Sequence, residues 1–165
     1  MIARVRIAFA LAFLTLAPTV SAKEAQVLAF SFELPNSWYV ESGGGRLFAM
    51  GSTTPYRPPL ITAEACIPTT SQDCSGMRRP FPPGAPGSKA LGCDGIIPAT
   101  IPRQGGITET RCICSPVVVD SDPGSVGFSV FHLKGAVLFV GYFAGVNDQD
   151  VESFLDALAG SVRVR

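Results

Sequence analysis

The sequence has one histidine, His132, in 165 residues. That excludes zinc sites built on two or more histidines and leaves histidine catalysis to a single side chain. Charge is scarce too. Charged residues make up 16% of the chain, and 13 Lys and Arg balance 13 Asp and Glu. A nucleic-acid binder needs a basic excess, so that class is excluded. No long apolar run follows the first twenty residues. Apolar residues at 47% still exclude a disordered chain. The length provides for one domain and no second sizeable core. With 17 Gly and 14 Pro, long helices cannot dominate.

What is present begins at the N-terminus. Arg4 and Arg6 form a positive start, and Ile7 to Ala17 is an apolar run broken only by Thr15. Pro18 breaks a helix there, and Val20-Ser21-Ala22 offers small residues for cleavage. This is the layout of a secretory signal peptide. As a transmembrane helix the run reaches only about 16 Å, roughly half of a hydrocarbon core. The expected organisation is a signal peptide over 1–22 and a single exported α+β domain over 23–165. Lys23 follows the cut, so there is no lipid-accepting cysteine and no membrane anchor is expected after cleavage. Loss of Arg4 and Arg6 leaves 11 basic against 13 acidic groups, a net charge of −2.

Export governs the five cysteines, Cys66, Cys74, Cys93, Cys112 and Cys114. In an oxidising compartment paired cysteines are the default, and an odd number leaves one over or joined between chains. Cys66 and Cys74 are close in sequence, and a bridge there contributes roughly 2–3 kcal/mol in the chain-entropy model. Cys93 is then expected to pair with Cys112 or Cys114. Residues i and i+2 of a strand share a face, so either one fits.

Periodicity places the elements. Val27 to Leu34 reads as a strand with Leu28, Phe30, Phe32 and Leu34 on one face. Trp38 to Val40 begins a second strand, and Gly43-Gly44-Gly45 turns it onto a partner over 46–51. Ten prolines interrupt the stretch 52–106, where only Leu60 to Ile67 suggests an element. This is expected to be a long disulfide-stapled loop region. Residues 107–114 and 117–119 read as extended, with a turn at Asp122-Pro123-Gly124. Val126 to Leu133 and Ala136 to Phe143 form a hairpin joined at Lys134-Gly135. Its second arm is apolar on both faces, as a central strand should be. Val151, Phe154, Leu155 and Leu158 then mark a helix over 148–159, capped by Asn147 or Asp148 and ended by Gly160. Val162-Arg163-Val164 is a final short strand. The fold class is α+β, a mainly antiparallel sheet with a C-terminal helix packed on it.

Several groups are candidates for chemistry. Cys112-Ile113-Cys114 suits a thiol-redox pair, or a copper site with Met50 or Met77 as third ligand, but bridging accounts for the same residues. His132 lacks any nucleophile motif around it. The 43–45 glycine run lacks the spacing of a phosphate cradle. Asp148, Glu152 and Asp156 recur every four residues and form an acidic stripe, a solvated face or a contact for a basic partner. Arg78, Arg79 and Phe81 sit on a Pro-stiffened segment, Met77 to Pro83, which suits a pre-organised binding loop.

Two stretches resemble a known family. Phe30-Ser31-Phe32-Glu33-Leu34-Pro35-Asn36-Ser37-Trp38 is similar to the opening of PsbP/Mog1/DcrB-like domains: an apolar strand, Leu-Pro, then Trp. The ending is similar too, from His132 through the apolar strand and the helix with Phe154 and Leu158 to Ser161-Val162-Arg163-Val164. The resemblance implies an α/β sandwich with a central antiparallel sheet. It also implies a largely non-catalytic role, as in adaptors, chaperones and binding modules, with related folds among secretion-system immunity proteins. The stretch 52–106 departs from the pattern and carries no functional residue across. The expected function is a non-catalytic periplasmic protein-binding module of the immunity-inhibitor type, with no cofactor. Its partner is another protein, not nucleic acid. The competing reading is a small exported thiol-redox or copper-binding protein using Cys112 and Cys114.

Overall fold

Alternating apolar residues and tight turns divide the described residues between two antiparallel sheets and one α-helix. A computed structural model describes residues 21–53, 57–69, 74, 99–119 and 122–165. Arg78, Arg79, Phe81, Met77, Cys93 and the segment before Ser21 lie outside the described residues.

The small sheet holds β1 (Ala22–Val27), β2 (Phe30–Pro35) and, at the end of the chain, the two-residue strand Arg163–Val164, which pairs with the other side of β2. The large sheet contains β3 (Tyr39–Gly43), β4 (Arg46–Met50), β5 (Leu60–Cys66) and β6 (Ala99–Pro102). A 3-10 turn over Gln104–Gly106 leads into β7 (Thr108–Val119), β8 (Asp122–Leu133) and β9 (Ala136–Gly145). Helix α1 (Val151–Ser161) follows, and the final strand is β10. The large sheet runs in the order β3-β4-β5-β9-β8-β7-β6, so β9 is central, as its two apolar faces demand.

One face of the large sheet is covered by α1, over β7, β8 and β9, and by β1, over β3, β4 and β5. Between the layers lie Phe30, Phe32 and Leu34 of β2, Leu47, Ile61, Phe131, Leu138 and Val140 of the sheet, and Val151, Leu155 and Leu158 of the helix. Phe154 stacks on Tyr142 at 3.8 Å and on Trp38 at 5.5 Å between ring centroids. Gly127 lets the helix approach: a Cβ there would lie 2.3 Å from Val151 and 2.8 Å from Leu155. The outer face carries a second cluster of Cys112, Cys114, Val126, Phe128 and Phe143. Cys66, Cys74, Val130 and Val137 form a third.

The hairpin at Lys134-Gly135 and the glycine turn follow expectation. Gly44 and Gly45 take φ of 59° and 80°, the geometry that a two-residue turn between Gly43 and Arg46 requires. Five expectations are corrected. Residues 27–34 are not one strand, because the chain turns at Leu28-Ala29. Leu28 takes φ 51° and is 46% exposed, off the core face held by Phe30, Phe32 and Leu34. Asp122-Pro123-Gly124 is not a turn, since these residues pair with Val119, Val118 and Val117 in β8. The two extended pieces 107–114 and 117–119 belong to one strand, bulged where Ser115 and Pro116 face Ser125. Pro116 has no N–H to pair, which is why the ladder skips there. The helix begins at Val151, capped by Asp150, whose carboxylate accepts from Ser153 N–H at 3.0 Å. It continues through Gly160 to Ser161. Within 52–106, β6 is an element that proline counting concealed. It is an edge strand, where Pro102 is tolerated.

Candidate functional site

The period of two in β7 puts Glu109 and Arg111 on the same inner face, and the register sets Arg111 opposite Ser129 of β8. Glu109 is fully buried, Arg111 nearly so, and α1 closes over them. Such charges survive burial only when paired and hydrogen-bonded. Glu109 Oε1 accepts from Arg111 Nε at 2.7 Å and from Ser129 Oγ. The Arg103 guanidinium, just before the 3-10 turn, reaches Oε2 at 2.6 Å. From the helix, Asp156 Oδ1 accepts from Arg103 at 3.0 Å and from Arg111 at 2.9 Å. Two guanidinium groups and two carboxylates thus balance. Arg111 Nη2 is buried without a hydrogen bond. Hydrogen bonding from Arg103 holds the Asp156 carboxyl below its ordinary range; slight burial opposes this and Arg111 adds to it. The network ties β7, β8, the β6–β7 connection and α1 together. Sequence reasoning passed over Glu109, Arg111, Arg103 and Ser129 and named only Asp156. The available signal was Glu109-Thr110-Arg111, opposite charges two apart in an otherwise half-apolar strand.

The three acids expected as one stripe are separated by this arrangement. Asp148 precedes the helix, and its carboxylate accepts from Gly145 N–H at 2.6 Å, closing the turn after β9. Glu152 is exposed in the first helical turn. Asp156 is on the same side but faces the two arginines. His132 lies on the outer face, opposite Thr108 and Val137.

Cys66 and Cys74 are bridged, with Cα atoms 5.8 Å apart. Of the two alternatives for the second bridge, Cys114 is the disulfide-bonded residue and Cys112 is a free, buried thiol. Burial pushes the Cys112 thiol up, opposite to what a reactive thiol needs. Cys112 and Cys114 therefore do not form a dithiol, and the redox reading loses its pair. Among the described residues, no three His, Cys, Asp or Glu side chains gather to hold a metal ion. No described helix is long and apolar enough to cross a membrane.

No protein-family model matches the chain, and no curated protein matches it significantly. Solved structures do. A Bacteroides thetaiotaomicron protein superposes with a TM-score of 0.56 at 9% identity, covering 83% of this chain; the chain spans only 45% of that protein. Cyanobacterial PsbP (CyanoP) of Synechocystis sp. PCC 6803 matches at 0.54 and 14% identity, over 94% of this chain and 99% of its own. The Saccharomyces cerevisiae Ran-binding protein Mog1p matches at 0.50 and 8% identity, over 88% and 96%. At these identities the likeness defines the architecture alone: a helix and a small sheet layered on a large antiparallel sheet. That architecture is the PsbP/Mog1-like fold, as the Leu-Pro…Trp opening implied.

Proposed function

We propose that the protein is an exported, non-catalytic protein-binding module, acting in the periplasm or outside the cell as an immunity-type inhibitor of a secreted toxin. The observation that carries the non-catalytic part is the fate of the buried charges. The two buried ones, Glu109 and Arg111, are bonded to each other and to the more exposed Arg103 and Asp156. The Ran-binding name of Mog1p, a structural neighbour, supports a binding role. The Arg4 to Ala22 pattern supports export, as do the Cys66–Cys74 bridge and the bridged Cys114.

The contact is assigned to Arg78, Arg79 and Phe81, because Arg and aromatic side chains are favoured interface anchors. The acidic side of α1, chiefly Glu152 with Asp156 and Asp148 beside it, is the second contact. The test uses the mature chain as bait for exported proteins of its source cell, with chemical cross-linking and thermal melting in parallel. Replacing Arg78, Arg79 and Phe81 by Ala should abolish the cross-linked partner at unchanged Tm. A retained partner removes that loop from the contact. Recovery of a partner that is not a toxin, or whose activity is unaffected by the bound chain, overturns the immunity role.

A further inference from the structure

We propose that the open edge of β3 is a docking edge for an extended segment of a partner protein, one that carries Lys or Arg opposite Glu41 and a large apolar residue opposite Gly43. The proposal rests on the protein-binding reading but uses none of Arg78, Arg79 and Phe81.

The argument starts from the hydrogen-bond ladder. Among the described residues, β3 is a terminal strand of the large sheet and no strand pairs with its outer edge. Its turn closes on the pair Gly43 and Arg46, so Tyr39, Glu41 and Gly43 face Met50, Phe48 and Arg46 of β4. On its other side β4 bonds β5 through the alternate residues: Gly51 N–H donates to Pro59 O, and Ala65 N–H to Gly45 O. Antiparallel ladders alternate, so Arg46, Phe48 and Met50 bond to β3. Tyr39, Glu41 and Gly43 are thereby satisfied. The N–H and C=O groups of Val40 and Ser42 point away from the sheet. Natural edges are usually blunted by shortness, proline or charge. At the opposite edge β6 is four residues long and contains Pro102. Strand β3 has no proline, and its one charged residue is Glu41.

Glu41 also decides which strand fits. With Val40 and Ser42 offering the outward bonds, a second copy in the fully overlapping antiparallel register places Ser42 against Val40. Glu41 then lies directly against its own equivalent, and like charges so placed are destabilising. A strand with a basic residue there gains what the homodimer loses. Glu41 has no ion-pair partner among the described residues, whereas neighbouring Arg46 and Glu64 already pair at 3.2 Å.

Gly43 decides the second position. A Cβ at Gly43 would meet nothing within 4 Å. Behind it lies an outer-face depression of about 450 Å³, walled by Arg46, Phe48, Thr62, Glu64 and Phe139. A large side chain on the added strand, opposite Gly43, passes over the glycine into this space. At the other end Tyr39, 58% exposed, offers an aromatic face to the residue opposite it. The edge therefore reads a pattern of basic and bulky side chains two residues apart. Main-chain bonds supply affinity and side-chain pockets specificity.

The test is selection of random displayed decapeptides against the mature chain, followed by affinity and hydrogen-exchange measurements. The expected binders are enriched in Lys or Arg two residues from a large apolar residue, and they slow exchange of the Val40 and Ser42 amides. Glu41→Lys should weaken them at least tenfold, and exchanging the peptide's basic residue for Glu should restore binding. Gly43→Trp fills the depression and should also abolish binding. Both substitutions are on the exposed surface, and circular dichroism with an unchanged Tm verifies folding. No binders, no basic enrichment, or indifference to Glu41→Lys overturns the proposal. A wild-type dimer that dissociates on Ser42→Pro also overturns it, in favour of self-pairing. The Arg78, Arg79 and Phe81 triple variant should bind these peptides normally, so failure of that contact is read separately.

Discussion

Arg111 Nη1 lies 2.9 Å from Asp156 Oδ1, an ion pair that spans the two layers of the fold from strand β7 to helix α1. Arg111 is nearly buried, while the Asp156 side chain is 55% exposed. The pair thus runs from the core to the surface. Its inner end is Glu109, which no solvent reaches.

The first prediction concerns that inner end. Replacing Glu109 by Gln leaves Arg103 and Arg111 with one carboxylate between them and sets an amide NH2, a donor, against donors that one carboxylate oxygen now satisfies. Removing one partner of a buried pair costs about 3–5 kcal/mol. Denaturant unfolding of Glu109→Gln should show a loss of that size. A loss below about 1 kcal/mol would mean that the site is wetter than its burial indicates.

The second prediction is a pH dependence. Hydrogen bonding from Arg103 holds the Asp156 carboxyl below its ordinary value in the folded chain. Such a carboxyl stabilises the fold above its unfolded pKa, about 4, and that contribution is lost as pH falls through the lower folded value. The Tm gap between the wild type and Asp156→Asn should be constant from neutral pH to about 5 and narrow toward pH 3. A gap unchanged across that range would assign the effect to packing.

The halves of the fold were unequally legible. The β8–β9 hairpin and the helical face of Val151, Phe154, Leu155 and Leu158 read directly, because each buries one periodic face. The β1–β2 turn did not. Leu28 continues the apolar alternation of Phe30 and Phe32, so periodicity ran straight through a residue with positive φ. Strand β6 was missed because Pro98 precedes it and Pro102 is its last residue, and an edge strand tolerates what a central one does not. The ion network, beyond the Glu109-Thr110-Arg111 spacing and Asp156, was hidden for another reason. Its members, Arg103, Glu109, Arg111, Ser129 and Asp156, are gathered only by register and by the placement of α1. The acidic repeat failed likewise: a spacing of four has meaning only inside a helix, and Asp148 lies before it.

The third prediction uses the aromatic stack. Phe154 is buried and stacks on both Tyr142 and Trp38, the one tryptophan, and these two rings also stack at 6.3 Å. Phe154→Ala should cost about 3–5 kcal/mol. It should also shift the fluorescence of native Trp38, because the ring on its face is gone. A stability loss without a change in emission would place Trp38 outside the stack.

The last prediction concerns the cysteines, where compartment and function meet. Non-reducing peptide mapping should show Cys66 linked to Cys74, as their 5.8 Å Cα separation requires. Cys114 is bridged and Cys112 is free. The fifth cysteine, Cys93, is therefore the expected partner of Cys114. Cys112 should resist alkylation in the native chain, because burial keeps its thiol protonated and out of reach. It should react fully once the chain is unfolded without reductant, giving one label per molecule. Cys112→Ser should then leave both bridges intact and cost stability only through a hydroxyl placed among Val126, Phe128 and Phe143. A redox or copper role demands the reverse, rapid native labelling of Cys112 together with Cys114. Two labels per native molecule, or a Cys66–Cys112 link, would overturn this arrangement and revive the thiol reading. One label appearing only on unfolding leaves Cys112 a packed core residue and assigns the bridged cysteines to holding the outer face of the large sheet.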